Sequence, residues 1–202
     1  TPLIAFNDAG KTDLLGEWLA PVAYTPLAVI EYELKKRPRQ NKPIIDAPWL
    51  TWVPSHPDDT QMVASILQRL GKAHPQNLGE AETVAASKRY GWTAVLDDHE
   101  GRMVAREHNV AHVYTVTMLA VATAYGKLTP TKAWRLHRTI EVNRGRFSPL
   151  KPDDDYKKVF VDYCGAVNKL KVNRGEPQWP RLLATPGLDD LLLEKLERFR
   201  SS

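Results

Sequence analysis

Leu14, Leu15, Trp18 and Leu19 recur at helical spacing and predict a helix over residues 11–19, which Pro21 stops. The stretch before it, residues 1–6, reads as the end of a buried strand or the entry to a helix. Val22-Ala23-Tyr24 makes a short strand. Pro26 suits the first turn of a helix running to about Lys36, where its missing N–H costs nothing. Residues 37–41 form a polar, proline-broken loop, and residues 49–53 alternate like a strand. A turn over 55–59 leads to a helix through Met62, Ile66 and Leu70.

The centre is patterned most clearly. Asn77 stands at the N-cap and Gly91 at the C′ position of a helix with a small apolar face: Leu78, Ala81, Val84, Ala85 and Ala86. Thr93-Ala94-Val95-Leu96 has no polar break and suits a parallel strand covered on both faces. A helix follows through Met103, Val104 and Ala105 and ends at Asn109. A strand over 111–114 and a helix over 115–125, closed by Gly126, complete the alternation. That order predicts an α/β fold with a central parallel sheet. After Gly126 the pattern is helical only, over 131–142, 154–170 and 188–199, with links holding Gly145, Pro149, Pro152, Gly175, Pro177, Pro180, Pro186 and Gly187. The expected division is residues 1–128 and a helical extension, 129–202.

Composition narrows the class. The chain has 202 residues, 43% hydrophobic and 26% charged, with a net charge of +4. One cysteine, Cys164, excludes an internal disulfide framework or a cysteine-based zinc site; within an apolar run it reads as a packed thiol. A reducing, cytoplasmic compartment is expected, with no signal-peptide pattern and no apolar run long enough to span a bilayer. Charge is segregated. Lys132, Arg135, Arg138, Arg144, Arg146 and Lys151 share their stretch with one acid, Glu141. Trp134 and His137 interleave with them, so the stretch either tracks a nucleic-acid backbone or packs its rings inward.

The acids gather elsewhere. Glu80 and Glu82 lie in the first turns of the central helix, and Asp97 and Asp98 end the following strand. In parallel sheets ligands bind beyond the carboxyl ends of the strands. Clustered carboxylates suit a hard cation, Mg²⁺ or Mn²⁺. They also suit plain helix starts: Glu80 and Glu82 favour the helix dipole, and Asp98 can cap. His99 and His108 read as surface residues, since zinc would need further N or S donors.

The runs Leu78-Gly79-Glu80-Ala81-Glu82-Thr83-Val84-Ala85, Ala94-Val95-Leu96-Asp97-Asp98 and Arg102-Met103-Val104-Ala105 resemble the PIN-domain nucleases, in the branch that reads GEAE, a strand, then DD. Tyr114 to Leu119, with Ala122 and Gly126, is similar to that branch's next segment, with Tyr114 where the pattern prefers Gly. Thr1-Pro2-Leu3-Ile4 resembles the start of the fold. The resemblance covers about residues 1–128. It implies a three-layer α/β/α sandwich and a Mg²⁺- or Mn²⁺-dependent endoribonuclease, commonly the toxin of a VapC-type toxin–antitoxin pair.

Carried over, Glu82 matches the third acid, with Glu80 beside it, and Asp98 the acid after the strand, with Asp97 in support. Glu33 is the first choice for the second acid, and Glu31 stays open. Two apart on a helix, these two cannot both face the site. Thr115 orients the site, and Arg102 or Arg106 holds a phosphate oxygen, or is a solvated helix face. Arg135, Arg138 and Arg144 meet RNA. The family's first acid falls two positions before the residue matched by Thr1, and Asp8, on the following segment, does not replace it. Without that ligand the expectation becomes an impaired PIN-like module binding RNA or protein. A cognate antitoxin and a homodimer are the implied protein partners.

Overall fold

A computed structural model describes residues 2–19, 23–71, 77–144, 148–176 and 178–201, with the side chains at 19, 143 and 144 outside that description. Thr1, Pro21, Gly145, Arg146, Pro177 and the Arg144 side chain therefore lie outside the described residues. The chain divides into two units, Thr1–His112 and Val113–Ser202, whereas the sequence placed the boundary after 128.

The first unit begins with α1 (Pro2–Asp8) and α2 (Thr12–Leu19), then β1 (Ala23–Pro26), α3 (Leu27–Tyr32) and α4 (Pro38–Ile45). It continues with β2 (Leu50–Val53), α5 (Thr60–Leu70), α6 (Leu78–Tyr90), β3 (Ala94–Val95) and α7 (His99–Glu107), and the division falls within β4 (His112–Val113). β1 and β2 pair in parallel, Ala23 opposite Leu50 through Pro26 opposite Val53. β3 pairs with β4, and Ala94 N–H donates to the Ala111 carbonyl at 2.8 Å. The α/β alternation stands, but among the described residues the sheet is two short pairs rather than one central sheet.

Two apolar clusters hold this unit. Val29, Ile30, Leu34, Ile44 and Leu50 form one, and Ile66, Ala81, Val84, Leu96, Val104 and Val110 the other. The small residues of α6 let neighbouring helices approach it closely. At its end, Gly91 adopts φ +67°, a left-handed conformation, and turns Trp92 back onto Tyr90 with ring centroids 4.4 Å apart. Tyr24 of β1 stacks on Trp92 at 4.1 Å.

Two local expectations are corrected. The helix expected to run from Pro26 to about Lys36 stops at Tyr32; Glu33 turns out of it at φ −119°, and a 3-10 turn, Leu34–Lys36, follows. The polar stretch 37–41, expected as a loop, is mostly the start of α4, with Pro38 in the first turn.

The second unit holds α8 (Thr115–Ala124), α9 (Pro130–Arg144), α10 (Asp155–Arg174), α11 (Trp179–Leu183) and α12 (Leu188–Arg200). α8 is apolar almost all round and nearly all buried, so it needs cover on every side; α9 to α12 supply it, which explains why it groups with them. The sequence pattern missed α11, a five-residue helix opened by Trp179-Pro180. No helix among the described residues is long and apolar enough to cross a membrane.

Candidate functional site

Glu80 and Glu82 lie in the first turns of α6, and Glu33 packs against its start. Gly79 has no Cβ, and that absence is used. A Cβ there would fall 2.6 Å from Glu33 Oε1 and 3.0 Å from Val29 Cγ2. α3 therefore packs tightly enough to lay the Glu33 carboxylate on α6. Glu31 is exposed and pairs with Lys35 at 2.6 Å, one turn along the same segment. Packing thus separates two acids the sequence left open: Glu33 turns to α6, and Glu31 turns to solvent.

Gly101 makes room in the same way. A Cβ there would lie 3.3 Å from Glu80 Oε1, so Glu80 reaches across to the first turn of α7. Asp98 caps that helix: its Oδ1 accepts from Glu100 N–H at 3.0 Å and Gly101 N–H at 3.2 Å. Glu80 and Asp98 thus meet the same helix start, where unpaired N–H groups favour negative charge. Asp97 precedes it, half-buried. Arg102 is buried and donates to the Leu96 carbonyl at 3.3 Å. It braces the turn that carries Asp97 and Asp98. Arg102, expected to meet RNA, is thus buried with its guanidinium turned to the Leu96 carbonyl.

Glu82 is only 8% exposed. Ser55, just beyond β2, donates to its Oε1 at 2.5 Å. Its Oε2 is buried with no hydrogen-bond partner among the described residues. A buried oxygen left unpaired costs about 1–3 kcal/mol, and more when it carries charge. Glu82 lies three residues after Gly79, on the helix face that receives Glu33. Sequence reasoning took Ser55 for a simple turn residue and did not single out Gly79 and Gly101. The available signal was a glycine beside an acid at Gly79-Glu80 and Glu100-Gly101.

The donors are all oxygen, the chemistry of Mg²⁺ or Mn²⁺ sites. Among the described residues, however, no three acidic, His or Cys side chains come together in a group that could hold an ion. The cage expected from Glu33, Glu80, Glu82 and Asp98 is not formed as such. Asp98 Oδ1 is engaged in the cap, and Glu80 is turned to Gly101. Mg²⁺ does not demand such a cage: one or two carboxylates, with waters and substrate phosphates, commonly hold it. The bare Oε2 of Glu82 fits that arrangement.

In the second unit, Thr115 is the buried first residue of α8. Lys132, Arg135 and Arg138 are exposed on α9, and Arg138 pairs with Asp154 at 2.8 Å. Trp134 and His137 point into the core, settling their reading as packed rings. Burial lowers the His137 pKa to about 4, against a hydrogen bond to the Leu150 carbonyl at 3.2 Å. Cys164 is buried too, which pushes its thiol up to about 11.

A family model described as a PIN domain matches residues 1–144. No curated protein and no solved structure matches the chain. The match takes in the whole acid-bearing unit and continues through α9. With more than half its length so matched, and acids placed at the start of the helix that carries GEAE, the chain belongs to the PIN-domain family, whose fold is that of nucleases.

Proposed function

We propose that this chain is a Mg²⁺- or Mn²⁺-dependent endoribonuclease whose centre is the N-terminal end of α6. The observation that carries the reading is the buried Oε2 of Glu82, without a hydrogen-bond partner among the described residues, in a chain of this family. Glu82 and Glu33 would hold the ion, with Asp98, Asp97 and Glu80 lining the adjoining turn. A bound divalent ion makes water a better nucleophile and offsets charge building on a phosphate. The chain's own groups do the positioning. Ser55 fixes the Glu82 carboxylate through Oε1. Arg102 holds the Asp97-Asp98 turn through the Leu96 carbonyl. Gly79 and Gly101 admit the Glu33 and Glu80 carboxylates. Single-stranded RNA is the substrate form, because unpaired bases splay out and leave the backbone open. Thr115 is assigned an orienting role, and Arg135, Arg138 and Arg144 of α9 an RNA-holding one.

The biological role we infer is the toxin of a VapC-type pair, a cytoplasmic homodimer silenced by its antitoxin. The GEAE, strand, DD order supports it. A second reading, a PIN-like module that binds RNA or protein without cutting, is favoured by one observation: no three donors gather among the described residues.

Cleavage of total RNA in Mg²⁺, Mn²⁺ or EDTA separates the two. The enzyme reading expects cation-dependent cutting, lost in Glu82→Gln and Asp98→Asn. Cutting that persists in EDTA, or in both variants, would sink the assignment. Growth arrest on expression, relieved by Glu82→Gln, tests the toxin role.

A further inference from the structure

We propose that the cationic turn holding Lys36, Arg37 and Arg39 is the surface on which a single-stranded RNA backbone is held as it meets the acids of α6. This deepens the nuclease reading and rests on it for the identity of the strand.

Residues 34–42 read Leu-Lys-Lys-Arg-Pro-Arg-Gln-Asn-Lys, with five cations and no acid. Two of the five are neutralised. Lys35 pairs with Glu31 at 2.6 Å, and Lys42 with Asp46 at 2.5 Å. Lys36, Arg37 and Arg39 are exposed, and among the described residues none of them has an ion-pair partner. Three unbalanced like charges on one turn repel one another, and a polyanion relieves that repulsion.

The turn that carries them is held in place. Leu34 is fully buried, and the buried Asn41 side chain donates to the Leu34 carbonyl at 2.8 Å. Asn7 donates to Asn41 Oδ1 at 3.3 Å and to the Gln40 carbonyl at 2.8 Å. The start of α4 adds to the positive field. Arg37 makes no side-chain cap there, and the first turn contains no acid. Free N–H groups at such an end favour anions.

Position ties the turn to the site. Glu33, whose carboxylate lies on Gly79, is the residue before the Leu34–Lys36 turn. Three cations spread over four residues match successive phosphates better than one compact anion. Lys acts there as a point charge, and Arg as a fork for phosphate oxygens. The exposed cations of α9 are the competing surface. They belong to the other unit, and Arg138 is already engaged with Asp154.

The test uses the full chain and a labelled oligouridine RNA, with anisotropy read in EDTA so that binding is scored without cutting. Salt is varied from about 50 to 200 mM, the range in which phosphate contacts show as a slope. K36E/R37E/R39E should weaken binding at least ~10-fold and flatten the log–log salt slope by about 2, since each single-strand phosphate contact contributes about 0.7. K36Q/R37Q/R39Q should give the same direction to a smaller extent, and far-UV circular dichroism checks that both fold. K132E/R135E/R138E, on the α9 surface, should flatten the slope by less than the turn variants do. An unchanged slope in both turn variants, a loss confined to the α9 variant, or no RNA binding by the parent chain would each overturn the proposal. Binding lost in the turn variants by a parent that never cuts RNA would leave this surface standing and remove the nuclease reading. Cutting with an unaltered KM in the turn variants would do the reverse.

Discussion

Glu82 in the first unit and Asp189 in the second are buried to the same degree, each 8% exposed, yet their surroundings differ in kind. Asp189 opens α12 and accepts from Thr117 Oγ1 at 2.5 Å and from Tyr114 N–H at 3.4 Å. Tyr163 extends the network, donating toward Thr117 Oγ1 at 3.1 Å and the Leu188 carbonyl at 3.0 Å. It ties α8, α10 and α12 together. Among the described residues Glu82 has one donor, Ser55, on one oxygen, and no partner on the other. A buried carboxylate whose lone pairs are met by its own fold stabilises that fold. One left half-met keeps hydrogen-bonding capacity that a ligand could use. The lesson is that equal burial does not mean equal satisfaction; unmet hydrogen-bonding capacity is what separates the two acids.

The sharpest way to break this contrast is to neutralise each acid. Glu82→Gln should lower RNA cleavage by about 10³-fold, within the usual span for a group acting directly in proton or metal chemistry, while urea stability holds or rises. A loss of stability with unchanged turnover would make Glu82 another structural acid. Asp189→Ala should do the opposite. Losing hydrogen bonds to a buried charge costs about 3 kcal/mol, read from the urea midpoint, with activity per folded molecule retained.

pH provides a third handle on the closed side of the comparison. His137 has a folded-state pKa of about 4, lowered by burial from the ordinary 6.5. Between those values the unfolded chain takes up a proton that the folded chain refuses. Stability is therefore free of this penalty above about pH 6.5 and falls as pH drops toward 4, by about 2 kcal/mol by pH ~5. His137→Phe should flatten that slope in urea titrations; an equal slope in parent and variant would assign it to other groups.

Smaller effects refine the picture. Gly79→Ala places a Cβ against Glu33 Oε1, the far end of a flexible side chain, so the carboxylate moves more readily than the backbone. Activity should fall about 10-fold with little change in melting temperature, because Ala favours the helix by about 1 kcal/mol and Val29 must shift to admit it. Retained activity would show that the placement of Glu33 does not matter. Smallest of all, Arg138→Ala removes an exposed pair with Asp154 and should change stability by less than about 0.5 kcal/mol.

Local signals carried most of the element positions. The helix opened by Asn77 and closed by Gly91, the strand at 50–53, and the helix after Asp98 all depend on residues within a few positions of one another. The misreadings were also local in origin. Pro38 was read as a breaker and serves as a helix start, and the α3 helix breaks at Glu33, one turn sooner than its periodicity implied. The site was legible in its residue types and only partly in its geometry. Glu80, Glu82, Asp97 and Asp98 do lie at the ends of neighbouring elements, but nothing in their spacing says that Asp98 caps α7 or that Ser55 reaches Glu82.

The sequence by itself determined where most of the helices start and stop, which acids are adjacent along the chain, and the family to which their order points, because capping, periodicity and motif spacing are short-range properties. Only the tertiary structure laid Glu33 on α6 and turned Glu31 to Lys35, turned Arg102 and Trp134 inward, and left one oxygen of Glu82 without a partner among the described residues. Those outcomes depend on how closely α3, α6 and α7 pack in one unit and which face of α9 is covered in the other. Close packing is a balance of many contacts distant in sequence, so no window along the chain contains it.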